Sequence, residues 1–349
     1  MTPETSGDPI RVGIAGFGLA GEVFHGPLIA ATPGLQVTAI VTGDPGRSAR
    51  AGEKHPEALV AGTVEEIWPQ IDLLVVAVPN RLHAELALEA ISHDIAVVID
   101  KPFATAAEDA QRVIDADGRV TVFQNRRWDG DFLTVRSLLD AGRLGEVVRF
   151  DSRFERFRPH VREGWRESGD PSDGGGQLAD LGAHLIDQAI ELFGPPESVY
   201  AEVDLRRPGV KADDDVFVSL EHADRVRSHL HMGVLAPLAG RRFKVSGLGG
   251  GFEVVGLDPQ EAQLRDGMDP GSPDFGERPP GRLVEGADGK VEELPIERGR
   301  YPDFYAGVEE WIREGGAPPV DPADSLRVLK VIEAARESAD RREAVAFSG

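Results

Sequence analysis

Three groups of residues in this chain have types and spacings that could do chemistry. The first is Gly16-Phe17-Gly18-Leu19-Ala20-Gly21, a G-x-G-x-x-G run. Glycines at these positions permit a tight turn, close backbone approach by a pyrophosphate, and close packing of helix on strand. The helix after it would aim its free amide groups at phosphate oxygens. The second group is Asp100-Lys101-Pro102. The only lysines are Lys54, Lys101, Lys211, Lys244, Lys290 and Lys330, so a lysine here stands out in an arginine-rich chain. Its compact ammonium could hold a substrate oxygen and lower a neighbouring pKa. The third group lies in residues 174–188, GGGQLADLGAHLIDQ, where Asp180 and His184 are four residues apart and share one helical face. On this helix alone two readings stay open. Leu178, Leu181, Leu185, Ile186 and Ala189 make an apolar stripe, and Asp180, His184, Asp187 and Glu191 opposite it are either a solvated face or part of a proton-transfer site. The glycine run speaks for the second, because it lets backbone approach something closely. A histidine base oriented by an aspartate is also what hydride transfer from an alcohol requires.

Other candidates lie just past strand ends. The second strand ends at Thr42, ahead of Gly43, Asp44, Pro45, Gly46 and Arg47. Thr42 is neutral and could bond a 2′-phosphate, with Arg47 or Arg50 supplying charge. Asp44 could instead serve an adenosine ribose, or only cap the next helix. These residues lean toward NADP over NAD. After the fourth strand, Val78, Pro79, Asn80 and His83 are candidates for the coenzyme, although a lone histidine is more often structural. After the sixth strand, Gln124 and Asn125 can reach a ligand, and Arg126, Arg127 and Trp128 either line the site or brace a domain junction. Substrate selection falls to the loop 156–172, where Arg158, His160, Trp165 and Arg166 are candidates. A metal site built on Asp180, His184 and His160 lacks further ligands at fixed spacing, so no metal is expected.

The elements that must position these groups are legible as a pattern. Residues 10–125 alternate apolar strands at 10–17, 36–42, 58–62, 73–79, 95–100 and 119–125 with helical stretches at 20–31, 45–54, 81–93 and 105–117. Strands such as LLVVAV are continuously apolar, as parallel strands covered on both faces are, so a doubly wound parallel sheet is expected. In such sheets ligands bind beyond the carboxyl ends of the strands. After a helix at 131–144 strand-like segments dominate, at 146–157, 198–207, 215–223, 226–234 and 241–256, with HADR (222–225) as a hairpin turn. Residues 258–281 read as loop, and helices run from Asp303 to Glu314 and from Asp321, a plausible N-cap, to about Arg342. The expected fold class is α/β: an N-terminal doubly wound parallel Rossmann sheet, plus a C-terminal α+β domain with a mostly antiparallel open sheet. The expected division is a disordered tail at 1–9, a dinucleotide-binding domain at 10–128 and a substrate and oligomerisation domain at 129–349. The C-terminal helix is free to pack back on the first domain.

Composition narrows the partners. At 349 residues the chain is long for one core, which favours two domains. No apolar run approaches the roughly 20 residues that span a bilayer. The opening MTPETSGDPI lacks the basic and apolar regions of a signal peptide. A formal charge of −22 repels phosphate backbones and anionic lipid, so neither nucleic acid nor membrane is an expected partner. The absence of cysteine excludes disulfides and thiolate chemistry and fits a reducing cytoplasm, the expected location.

Gly16–Gly21, Asp100-Lys101-Pro102 and the GGGQLADLGAHLIDQ helix, in that order, resemble the Gfo/Idh/MocA oxidoreductases from about Ile10 to near Ala344. FHGPLI (24–29), NRRWDGDFLT (125–134) and DLGAHLIDQ (180–188) are most similar to the branch holding NADP-linked scyllo-inositol dehydrogenases. The resemblance implies catalytic roles for Lys101, Asp180 and His184, with Asp100 standing where Glu is usual. It also implies an NAD(P)-dependent dehydrogenase acting on a cyclitol or sugar, assembled as a homodimer or homotetramer through the second sheet. An NAD-retaining glycosidase and a non-catalytic nucleotide sensor are the alternatives on the same fold.

Overall fold

The computed structural model describes residues 7–349 apart from 163, 239 and 288, so most of the expected N-terminal tail lies outside the described residues. The chain folds into two compact units. One takes the chain up to Asn125 together with Gln260–Phe275 and Arg300–Ser325; the other takes Arg126–Pro259, Gly276–Gly299 and Leu326–Gly349. The first break between the units falls after Asn125, and the chain then re-enters the first unit twice.

The first unit is built on six parallel strands: β1 (Ile10–Ala15), β2 (Leu35–Val41), β3 (Leu59–Ala61), β4 (Leu73–Val76), β5 (Ala96–Asp100) and β6 (Val120–Phe123). Their order is β3-β2-β1-β4-β5-β6, so the winding reverses between β1 and β4. β4 is fully buried along its length, from Leu73 to Val76. Each such side chain stabilises the fold by roughly 1.5–3 kcal/mol relative to exposure, which is why these strands read as unbroken apolar runs. The connections are α1 (Gly26–Ala30), α2 (Pro45–Lys54), α3 (His83–Ser92) and α4 (Ala107–Asp115). α2 starts where its sequence dictates: Asp44 Oδ1 accepts the Arg47 amide at 2.7 Å and Pro45 opens the first turn. Asp44 is therefore a helix cap.

The helix expected at 20–31 is not uniform. Ala20–His25 is a π-helical turn that runs into α1. Such a turn holds more residues than an α-turn and shifts the phase of the helix beyond it, a device common at functional sites.

The second unit carries nine strands in the order β14-β13-β12-β11-β7-β10-β9-β8-β15. They are β7 (Val147–Glu155), β8 (Pro196–Asp204), β9 (Asp215–His222), β10 (Arg227–Gly233), β11 (Arg241–Gly247), β12 (Gly250–Val255), β13 (Gly281–Glu285), β14 (Val291–Leu294) and β15 (Val345–Ala346). All pairings are antiparallel except β7 with β10. Residues 241–256, which read as one strand-like segment, are a hairpin that turns at Leu248-Gly249. Residues 258–281 hold a short helix, α7 (Gln260–Arg265), where loop was expected, and β13, β14 and β15 carried no expectation. Two helices of this unit, α5 (Gly130–Asp140) and α6 (Ala183–Phe193), fall where helix was expected, although α5 stops at Asp140 where the reading ran to 144. α8 (Pro302–Glu314) belongs to the first unit, and α9 (Pro322–Arg341) begins there and passes to the second at Leu326. Asp321 caps α9 through Oδ1, which accepts the Ala323 amide at 2.9 Å.

Candidate active site

In the first unit the glycine loop closes β1. Gly16 sits at φ +97°, and a Cβ on it would come within 2.3 Å of the Ala77 carbonyl, so only glycine fits. A Cβ on Gly21 would lie 2.1 Å from the Gly16 carbonyl, which is the tight helix–strand packing its position predicts. Gly18 is different: the nearest atoms to a Cβ there are those of the Arg47 guanidinium, at 3.8 Å. The loop is thus pinned at both ends and open in the middle, the shape a pyrophosphate needs. Leu19 and Ala20 remain accessible, whereas the Phe17 ring is buried against His55 and leaves only its backbone for a ligand.

The other first-unit candidates emerge at the same carboxyl edge of the sheet. Thr42 follows β2, Val78, Pro79 and Asn80 follow β4, Asp100 and Lys101 end β5, and Asn125 follows β6. Arg47 is exposed beside Gly18, while Arg50 is turned away onto both Glu22 oxygens, each at 3.1 Å. His83 lies as an internal brace. It is 1% exposed, with Nδ1 2.8 Å from the Pro102 carbonyl and Nε2 3.0 Å from the Val78 carbonyl. It ties the β4 and β5 loops together, and burial pushes its pKa down, opposed by the Asp100 carboxylate. Burial also opposes ionisation of Asp100, but the His25 imidazole, with Lys101 and His83, outweighs it and holds the carboxyl below its ordinary value. Asp100 Oδ1 also accepts the Lys101 amide at 3.0 Å.

In the second unit Asp180 (6%), His184 (5%) and Asp187 (2%) are enclosed, whereas Glu191 at the end of the same stripe is exposed. The helix begins as a π-helical turn, Leu178–Gly182, before α6 takes over. The glycines before it have identifiable neighbours. A Cβ on Gly176, at φ +94°, would fall 2.1 Å from Asp213 Oδ1, and one on Gly175 would meet the Trp165 and Ser168 carbonyls at 2.7 Å. Asp213 reaches in to accept the Leu178 amide at 2.7 Å, and burial raises its pKa against that bond. The glycine run thus lets the 165–168 turn and Asp213 close over the helix start.

That turn brings Trp165 and Arg166 to Asp180. Arg166 Nε lies 2.8 Å from Asp180 Oδ2, with its guanidinium 4.2 Å from the Trp165 ring centroid. Arg127 clamps two acids of the α6 helix. Its Nε and Nη2 grip Asp187 at 2.9 and 2.7 Å, and Nη1 reaches Glu191 at 3.0 Å. Trp128 is half-buried near it in the chain, and Arg126 pairs with Asp129 at 3.2 Å. His160 is exposed in the loop, and its carbonyl and that of Arg158 both accept from Arg207. Sequence reasoning missed three anchoring groups: His25, Tyr305 and Asp213. The signals were present in FHGP, in the aromatic PDFY, and in the acid run KADDDV.

Comparison with known proteins agrees with this organisation. A model for an oxidoreductase family with an NAD-binding Rossmann fold matches residues 10–121, and a GFO/IDH/MocA C-terminal domain model matches residues 132–253. The chain is 40% identical to the oxidoreductase YdgJ of Escherichia coli, over 96% of this chain and 98% of that one. It is 36% identical to scyllo-inositol 2-dehydrogenase (NADP(+)) IolW of Bacillus subtilis, over 97% and 96%. The solved structure of yvaA from Bacillus subtilis superposes with a TM-score of 0.92 at 34% identity, covering 98% and 99%.

Proposed function

The chain belongs to the Gfo/Idh/MocA oxidoreductases, and on that premise we propose that it moves a hydride between NADP and a secondary alcohol or ketone of a cyclitol or sugar. The observation that carries the reading is Lys101 at the carboxyl end of β5, in the same sheet whose first turn is the pinned and open glycine loop.

The residues fit a dinucleotide. Gly16–Gly21 would hold the pyrophosphate, Thr42 and Arg47 the adenosine end, and Val78, Pro79, Asn80 and Asn125 the remainder. The coenzyme, when bound, supplies the hydride acceptor. The chain supplies the proton chemistry. His184 takes the hydroxyl proton, and Lys101 stabilises the negative charge that develops on oxygen. Asp180, itself held by Arg166, orients the histidine. Trp165, Arg166 and His160 belong to the loop that selects the substrate. The name of the 36%-identical relative supports both the cyclitol class and NADP.

Self-association through the second sheet is part of the same reading. Its half-exposed Tyr200, Phe217, His229 and His231 form a continuous aromatic and imidazole ladder, suited to meeting a second copy. Light scattering of the purified protein would give a dimer or tetramer mass; a monomer mass would remove this part. No described helix is long and apolar enough to cross a membrane.

The test is a screen of cyclitols and aldoses with NADP and NAD separately, following reduced nicotinamide. Net reduction with a cyclitol or aldose is expected; coenzyme that copurifies and is never reduced overall would favour a glycosidase or sensor instead. Lys101→Met should leave coenzyme affinity nearly intact and depress turnover by about a hundredfold or more. Unchanged turnover would take Lys101 out of the mechanism.

A further inference from the structure

We propose that His25 and Tyr305 are positioning residues for Lys101: a buried tyrosine–histidine relay that fixes the Asp100 carboxylate and, through it, the lysine next in the chain. The functional half of this inference rests on the role given to Lys101 above, whereas the relay itself stands on geometry within the first unit.

His25 is fully buried at the end of the π-helical turn, packed at 4.6 Å centroid distance against Phe123 and edge-on to Tyr305. Its Nδ1 lies 2.6 Å from the Tyr305 hydroxyl, which is also fully buried. Its Nε2 has no hydrogen-bond partner, and Asp100 Oδ1 lies 3.8 Å away. A phenol in an apolar enclosure keeps its proton, and here burial and the Asp100 charge both push the Tyr305 pKa up. Among the described residues the hydroxyl has no other hydrogen-bond partner to donate to, so it is the donor and Nδ1 the acceptor. That assigns the ring proton to Nε2, on the side that faces the carboxylate. In the alternative tautomer a bare Nε2 lone pair would confront Asp100 across 3.8 Å with nothing between them.

The arrangement has no other evident use. His25 is shut off from solvent, packed against Phe123 and edge-on to Tyr305. What it can do is orient and stabilise one charge. The groups that act on Asp100 are His25, Lys101 and His83, and Tyr305 lies behind His25. Asp100 in turn binds the Lys101 amide. The π-turn makes the reach possible, because its wider winding sets the phase of His25 relative to the sheet.

The experiment uses full-length protein labelled with 15N-histidine. Nitrogen shifts of His25 should report an Nε2–H tautomer, assigned by loss of the signal in His25→Gln. Tyr305→Phe, which removes one oxygen, should shift the Nδ1 resonance as that nitrogen loses its donor, while the ring proton stays on Nε2 facing Asp100. An Nδ1–H tautomer in the native protein, or an unaltered His25 spectrum in Tyr305→Phe, would overturn the relay.

In parallel, Tyr305→Phe and His25→Ala should lower kcat by about tenfold or more, with the coenzyme dissociation constant changed less than about twofold. The acid limb of the kcat/KM profile should move to higher pH as Asp100 loses its partner, and His25→Gln, whose amide can still donate, should recover part of the loss. A folded Tyr305→Phe with native kcat and an unmoved limb would reject the positioning role. If Lys101→Met keeps full turnover while the tautomer result holds, the hydride-transfer reading has failed and the relay has not.

Discussion

Arg47 shows how much a single side chain can decide. Its guanidinium is exposed beside the open glycine and makes no ion pair among the described residues, whereas Arg50 nearby is engaged by Glu22 and the Gly46 carbonyl. Asp44, the acid that could have repelled a 2′-phosphate, faces the Arg47 amide as a cap. A charged hydrogen bond to phosphate is worth about 1.5–3 kcal/mol, so Arg47→Ala should raise the KM for NADP by roughly ten- to a hundredfold and leave that for NAD nearly unchanged. Equal effects on both coenzymes would count against Arg47 as the discriminator. The sequence nominates this residue because position relative to a strand end is readable from pattern. It could not settle Asp180 and His184, because amphipathic periodicity separates polar from apolar but does not reveal partners. The burial of that stripe depends on Arg127 and Arg166, from segments distant in the chain, and on neither did spacing bear.

Elements were legible where one physical signal dominated. Continuous apolar runs gave the parallel strands, and α2 was read to the residue because cap, proline and helix formers agree. The β11–β12 hairpin was hidden because both halves are strand-like and the Gly-rich turn between them resembles an irregular strand. α7 was hidden between prolines and glycines, and β13 and β14 are short, with Glu-rich exposed faces. The π-helical turns were invisible for another reason: a π-turn has no composition of its own and is imposed by packing. At this scale Gly176 is the informative position. Gly176→Ala would place a methyl against Asp213 at a backbone angle that disfavours any side chain, so it should destabilise the protein by more than about 1 kcal/mol. Urea unfolding monitored by tryptophan fluorescence would measure this. A midpoint equal to that of the native protein would mean that Asp213 simply moves aside.

For the molecule as a whole, buried and half-buried histidines should govern stability in mild acid. Burial, helped by Arg153 and His229, pushes His231 down to about 4, and burial also lowers His83, His222 and His229. Their unfolded counterparts protonate near about 6.5, so the unfolded state takes up protons first as pH falls. The stabilisation is complete above about 6.5 and is lost progressively toward about 4. Asp129, which burial raises to about 8, runs the other way and favours folding as pH drops, as do Asp213, Asp215 and Asp303, whereas His55 and the lowered carboxyls of Glu22, Asp72, Asp100 and Asp214 add to the loss on the acid side. The melting temperature should therefore decline between about pH 6.5 and 4.5, and a flat profile would refute the assignment. The winding of the chain carries one last consequence, for its birth on the ribosome. Tyr301, Phe304 and Tyr305 are wholly enclosed in the first unit, yet they are made after nearly all of the second. The amino-terminal portion must emerge unfinished and wait for its closing segment, so a fragment ending near Asn125 should be short-lived in the cell, however regular its sheet.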